Sequence, residues 1–149
     1  MTVSVTRGTT NDILTINALI PEFDYAISED KLQSRLKDRK SLLLIASVNE
    51  KLVGYKLGYA LNEHQFYSWL GGVIPAYRKQ SIARKLLNAQ EAWAIEHSYK
   101  QVLVKSMNCF PAMLTMLINN GYQITGYENN GDALNSKIKF TKAIANTDI

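Results

Sequence analysis

Around Pro75 the spacing of apolar residues changes from every second position to every third or fourth, and this change constrains the fold more than any other feature of the chain. Before it, Phe66–Ile74 reads as a strand. After it, Ile82, Leu86, Ala89 and Trp93 form one stripe of a helix that begins near Ser81 and runs to about His97. Gln101–Lys105 then returns to a short strand. A strand–helix–strand crossover should place Phe66–Ile74 and Gln101–Lys105 parallel and near each other. Upstream the connections are too short for crossovers. Leu42–Val48 and Leu52–Leu61 are joined by Asn49-Glu50-Lys51, and the polar Asn62-Glu63-His64-Gln65 leads into the third strand, which predicts an antiparallel meander. Val53, Tyr55, Leu57 and Tyr59 alternate on one face of the middle strand.

The two ends complete the pattern. Val3 and Val5 alternate in an opening strand. Asn11 or Asp12 can cap a helix with Ile13, Ile16, Leu19 and Ile20 on its apolar face, and Pro21 lies just past its end. Pro21-Glu22-Phe23-Asp24-Tyr25 reads as a loop, and Ser28 can cap a second helix carrying Leu32 and Leu36. Pro111 suits the first turn of a helix over Met113, Leu114, Leu117 and Ile118, which Gly121 can end in a left-handed conformation. Tyr122–Tyr127 and Ile138–Lys142 are the last strands. The expected fold class is α/β, with a mixed, mostly antiparallel sheet of about seven strands, a central parallel pair and about four helices, in a single domain over residues 1–149.

A chain of this length can bury a sizeable core. Its formal charge of +4 fits an anionic small ligand or a weak nucleic-acid contact, and equally a solvated basic surface. Cys109 is the only cysteine, so no intramolecular disulfide can form and a reducing cytoplasm is the expected setting. The first residues have no apolar core of a signal peptide, and no apolar run approaches the ~20 residues that span a bilayer. His64, His97 and Cys109 lack ligand-pair spacing, so no metal is expected.

The chemistry concentrates at the junction Val73–Arg84. A strand ends, a loop carries Arg78 and Lys79, and a helix begins. The first N–H groups of a helix lack internal partners and sit at the positive end of its dipole, where an anion is favoured. Ser81 and Ala83 are small enough for a phosphate to approach the backbone, and Arg78, Lys79 and Arg84 add charge around the same point. There is no G-x-x-x-x-G-K-[ST] or G-x-G-x-x-G string, so neither a nucleotide P-loop nor a dinucleotide fold is indicated. A plain strand-to-helix turn with exposed basic residues is the alternative.

Arg78-Lys79-Gln80-Ser81-Ile82-Ala83, with the lead-in Val73-Ile74-Pro75-Ala76-Tyr77 and the following Leu86-Leu87, resembles motif A (R/Q-x-x-G-x-G/A) of the GNAT superfamily of N-acetyltransferases. The order of elements along nearly the whole chain is similar to the GNAT fold. Ser81 stands where glycine is usual, and its hydroxyl is expected close to a phosphate oxygen. The resemblance implies acetyl-CoA as co-substrate and a parallel central pair that is splayed. Gly71, Gly72 and Val73 then bond the pantetheine arm like an added strand, and glycine in a strand suits a close backbone approach. Asn108 matches a position that contacts the cofactor, with a cap or turn role as the alternative.

The implied activity is that of an acyltransferase acting on a primary amine of a small molecule or protein. It needs an oxyanion donor, a route for the amine proton and an acid for the thiolate. The Val73 N–H is the expected oxyanion donor. Glu22 and Asp24 are candidate bases and favour a cationic acceptor such as a protein N-terminus, lysine or polyamine; Glu63 and His64 are a second choice. The tyrosine that many GNATs place four residues before the Gly-aromatic pair is replaced by Leu117, and Ser68 matches a glutamate of histone acetyltransferases. Cys109 and Tyr127 are minor candidates for the acid. Phe23, Tyr25, Tyr67 and Trp69 are candidates for the acceptor pocket. No nucleic acid or membrane partner is expected, and a homodimer through the C-terminal strands is allowed. The missing tyrosine motivates one rival reading, a non-catalytic acyl-CoA-binding regulatory module. The net charge motivates another, a small nucleic-acid-binding domain.

Overall fold

The computed structural model describes residues 2–23 and 27–144. Strand β1 (Val3–Arg7) leads into α1 (Thr10–Asn17) and α2 (Glu29–Leu36), followed by β2 (Ser41–Val48), β3 (Lys51–Ala60) and β4 (Gln65–Val73). A single 3-10 turn over Pro75–Tyr77 precedes α3 (Ile82–Glu96); then come β5 (Gln101–Met107), α4 (Pro111–Asn119), β6 (Gln123–Glu128) and β7 (Lys137–Ala143). The strands form one sheet in the order β1-β2-β3-β4-β5-β7-β6. Only β4 and β5 are parallel; every other neighbouring pair is antiparallel. This is the expected element order and the expected mixed sheet. No helix among the described residues is long and apolar enough to cross a membrane.

Local chemistry explains most boundaries. The cap of α1 is Thr9 rather than Asn11 or Asp12. Its hydroxyl accepts from the Asp12 N–H while the Asp12 carboxylate accepts from the Thr9 N–H at 2.9 Å, a reciprocal capping box. The helix ends at Asn17, so Leu19 lies beyond it and is 52% exposed, while Ile13, Ile16 and Ile20 are buried. Ser28 caps α2 as expected, accepting from the Lys31 N–H at 3.1 Å. Asn49 and Glu50 both have positive φ, the primed turn geometry that matches strand twist in a tight hairpin.

Strand β3 is buried on both faces from Val53 to Tyr59. Tyr55 donates to Asn17 of α1 at 3.0 Å on one face. On the other, a Cβ at Gly54 would meet Ile82 and one at Gly58 would meet Gln90, so α3 lies directly over those glycines. The alternation of Val53, Tyr55, Leu57 and Tyr59 therefore describes only half of this strand. The buried stripe of α3 also differs from expectation. Ile82, Leu86, Leu87, Gln90, Glu91 and Ala94 are buried, with Ala89 and Trp93 at its margin.

Two irregularities in β4 shape the centre of the sheet. Leu57 pairs with Leu70 but Gly58 pairs with Ser68, which leaves Trp69 as the extra residue of a β-bulge. The parallel ladder joins only Gln65–Ser68 to Gln101–Val104, so β4 and β5 separate from Trp69 onward.

Candidate active site

The separation of β4 and β5 opens a cleft of about 1350 Å³. Its spine is the free edge of β4. The Ile74 N–H bonds the Val53 carbonyl at 2.9 Å, and the alternation of an antiparallel ladder then turns the backbone groups of Val73 and Gly71 away from β3, toward the opening. Gly72 gives its own backbone groups to β3. It is bare for another reason: a Cβ there would stand 2.6 Å from Ile20 Cδ1 and 3.0 Å from the Phe23 ring. Phe23 in turn meets Phe110 edge-on, with ring centres 6.3 Å apart, so the α1–α2 loop touches the loop before α4 across the cleft mouth.

Beyond the 3-10 turn the chain builds a concave run of backbone. Lys79 and Ser81 have φ of 63° and 65°, with Gln80 on the negative side between them. Such alternation of handedness turns successive N–H groups toward one point and favours anions. No side chain caps the first turn of α3, so its N–H groups remain open. Lys79, Ser81, Ile82, Ala83 and Arg84 all line the cleft, as do Gly71, Gly72 and Val73. An extended arm ending in a diphosphate fits this surface. A left-handed backbone at Ser81 was not anticipated, and its hydroxyl makes no cap. For an L-residue that conformation costs roughly 1 kcal/mol relative to glycine. Ser81→Gly should therefore raise stability by about that amount in denaturant titration, without moving the loop.

The structure joins two residues that sequence reasoning kept apart. Arg78 forms an ion pair with Glu22 at 2.5 Å, and its Nε donates to the Val73 carbonyl at 3.2 Å. Glu22 thus lies at the cleft mouth, tied to the loop before α3. Asp24 and Tyr25 lie outside the described residues. Gln80 and Asn108 do not line the cleft. Asn108 instead donates to the Ala133 carbonyl at 3.0 Å, pinning the loop between β6 and β7, which is the turn role weighed against cofactor contact. Glu63 and His64 sit at the opposite end of β4 from Gly71. Cys109 lines the cleft and Tyr127 does not. Leu117 is fully buried in the core, and Pro111, Ala112, Met113 and Met116 are what α4 presents to the cleft.

On the α1–α2 side the wall is aromatic and basic. Arg35 lies 4.5 Å from the centre of the Trp69 ring and donates to the Tyr59 hydroxyl at 3.2 Å. Lys105 and Lys139 share the Glu128 carboxylate at 2.8 and 3.4 Å, which holds its pKa below the usual carboxylate range, the Lys105 bond being the main cause. Tyr67 is pushed up to about 12, chiefly by burial and then by Tyr59, so at neutral pH it is a hydroxyl donor and no base. No group of three or more His, Cys, Asp or Glu side chains able to hold a metal occurs among the described residues.

Sequence reasoning missed Lys56. It lies in β3 between Gly54 and Gly58, is 5% exposed, and lines the cleft. Its pKa is lowered from 10.5 to about 8, by burial against a smaller opposing effect of Glu91. The available signal was a lysine in the interior of a largely apolar strand, flanked by the glycines that leave space on its face.

The sequence profile described as the Acetyltransferase (GNAT) family matches residues 11–112, about two-thirds of the chain. The chain belongs to the GNAT acetyltransferase family. As a GNAT protein it is an acetyltransferase, and solved GNAT structures share its fold at low identity. The ribosomal-protein-S18-alanine N-acetyltransferase from Escherichia coli superposes with a TM-score of 0.85 at 14% identity, covering 99% of this chain and 97% of that one. A GNAT family acetyltransferase from Elizabethkingia anophelis with acetyl-CoA bound gives 0.76 at 17% identity, over 95% and 97% of the two chains. The PaiA N-acetyltransferase from Thermoplasma acidophilum in complex with coenzyme A gives 0.76 at 14% identity, over 96% and 99%. No curated protein matches the sequence of this GNAT chain.

Proposed function

We propose that the chain, acting as one domain, transfers the acetyl group of acetyl-CoA to a primary amine. The observation that carries this reading is the open edge of Gly71 and Val73 running directly into the concave Lys79–Ser81 backbone and the uncapped start of α3. Backbone groups of Gly71 and Val73 would hold the pantetheine arm. Lys79, Ser81, Ile82, Ala83 and Arg84 would hold the diphosphate. Acetyl-CoA supplies an activated acetyl group as a thioester. The Val73 N–H is turned to the edge where it can stabilise developing negative charge on the acetyl oxygen. Glu22, at the mouth, can take the amine proton through water while Arg78 fixes its position. The exposed thiol of Cys109 supports a reducing cytoplasm as the setting, and the free edge of β6, with Ile124 and Tyr127 exposed, supports pairing as a homodimer.

The acceptor side favours an amine that also carries an anionic group. Glu22 is neutralised by Arg78, whereas Arg35, Lys105, Lys137 and Lys139 line the wall with Glu128 as the acidic counterpart of two of them. This replaces the cationic acceptor expected from the carboxylates of the α1–α2 loop. A thiol-release assay with acetyl-CoA should rank amines bearing a carboxylate or phosphate at least ~10-fold above polyamines in kcat/KM, and the preference should shrink with salt. Tight CoA binding with no thiol release across such a panel would support the regulatory module instead.

A further inference from the structure

Lys56 is the buried charge that the reading above leaves without a task. It pairs across the β3–β4 ladder with Gly71, and its ammonium stands 3.6 Å from where a Cβ on Gly71 would be. The lysine head thus lies directly against the Gly71 backbone at the cleft. The ammonium enters none of the ion pairs or hydrogen bonds among the described residues. Glu91 acts on it from α3, but both Glu91 oxygens are occupied, one accepting from Tyr122 at 3.0 Å and one from Lys142 at 2.7 Å. A largely buried ammonium thus faces the cleft with no hydrogen-bond partner among the described residues, beside the strand edge assigned to pantetheine. α4 meanwhile brings Pro111, Ala112, Met113 and Met116 to the cleft, and none of these side chains can give up a proton.

We propose that Lys56 donates the proton taken up by the departing CoA sulfur, a task for which α4 offers no hydroxyl. This rests on the acetyl-CoA reading. In the step, the amine nitrogen forms its bond to the acetyl carbon and the carbon–sulfur bond breaks with its electron pair on sulfur. One proton leaves the nitrogen to water or to Glu22. One proton passes from the Lys56 ammonium to sulfur, leaving a neutral amine that solvent reprotonates before the next turnover. Burial brings the lysine to about 8, no higher than the ~8.5 of a cysteine thiol, so passing its proton to a thiolate is not uphill.

The test uses the full chain with CoA itself, following thiolate absorbance of bound CoA against pH, alongside steady-state kinetics. The thiol of bound CoA should ionise at lower pH in the wild type than in Lys56→Met, because the ammonium favours the thiolate. Lys56→Met should lower kcat by roughly 100-fold with little change in KM. Lys56→Arg keeps the charge but cannot release its proton, so it should retain the early thiol ionisation and still turn over slowly. Identical thiol titrations in wild type and Lys56→Met, full activity in Lys56→Arg, or acetylation of Lys56 itself would each overturn the proposal. Wild-type protein that binds no CoA would instead overturn the acetyl-CoA reading, and this inference with it.

Discussion

Replacing Arg78 and Lys79 together with alanine is expected to weaken CoA binding about 100-fold. A charge-assisted hydrogen bond contributes roughly 1.5–3 kcal/mol, but the two cations do not contribute equally. Lys79 enters no ion pair among the described residues, so its full interaction is available to a phosphate. Arg78 already bonds Glu22 and the Val73 carbonyl, and a phosphate must compete with both. The pair should therefore contribute about 3 kcal/mol in total, near the affinity change given. Titration calorimetry at two salt concentrations would show it. The double variant should lose affinity and also show a shallower salt dependence, since fewer exposed charges remain to be screened. An unchanged Kd in a folded double variant would remove the diphosphate from this loop. The backbone geometry at Lys79 and Ser81 would then need another ligand.

The second large effect concerns stability, and its sign is unusual. Lys56→Met should stabilise the protein by about 3 kcal/mol at neutral pH, even though it should damage turnover. In the folded state Lys56 is lowered from 10.5 to about 8. Below pH 8 both states bind the proton, and folding bears the whole penalty of the buried charge, about 3 kcal/mol. Between pH 8 and 10.5 the unfolded chain holds the proton and the folded one does not, so wild-type stability rises with pH. The methionine variant has no such slope. Denaturant titrations at pH 7 and pH 10 should therefore show the advantage of Lys56→Met shrinking by most of its value. Tyr67 and Tyr122 are both raised by burial, Tyr122 also by Glu91, so they lower stability above about pH 10. They do so in both proteins and cancel in the difference. An advantage that stays constant with pH would show that burial does not penalise the charged lysine.

The fold was legible because its signals are local. Apolar spacing changes where β4 gives way to α3, and short polar links mark the hairpins, so the element order and the parallel pair follow without tertiary information. The cap of α1 was displaced to Thr9 because several residues in a row can accept from the first turn, and only geometry selects one. The cofactor side was legible in part. The sequence of Lys79–Arg84 marks an anion site, but the left-handed turn at Ser81 was hidden because a serine there suggests an ordinary cap. The chemistry was least legible, because it depends on faces and on pairs distant in sequence. Nothing local to Glu22 indicates Arg78. Lys56 reads as a solvent-facing residue until α3 is seen to cover that face of β3, with Gln90 and Glu91 above it.

The bulge at Trp69 has an evolutionary consequence. Before it, Phe66 and Ser68 share the α3 face with Ala60 and Gly58; after it, Gly71 and Val73 share that face with Lys56 and Gly54. Parity along β4 is therefore inverted partway through the strand. Loss of the single bulged residue would leave Ser68 opposite Gly58 and Leu70 opposite Leu57, so the faces on both sides are kept and only the wall at Trp69 changes. Length variation at this bulge can thus reshape the cleft wall around Trp69 while keeping Gly71, Val73 and the loop that follows Pro75 in place.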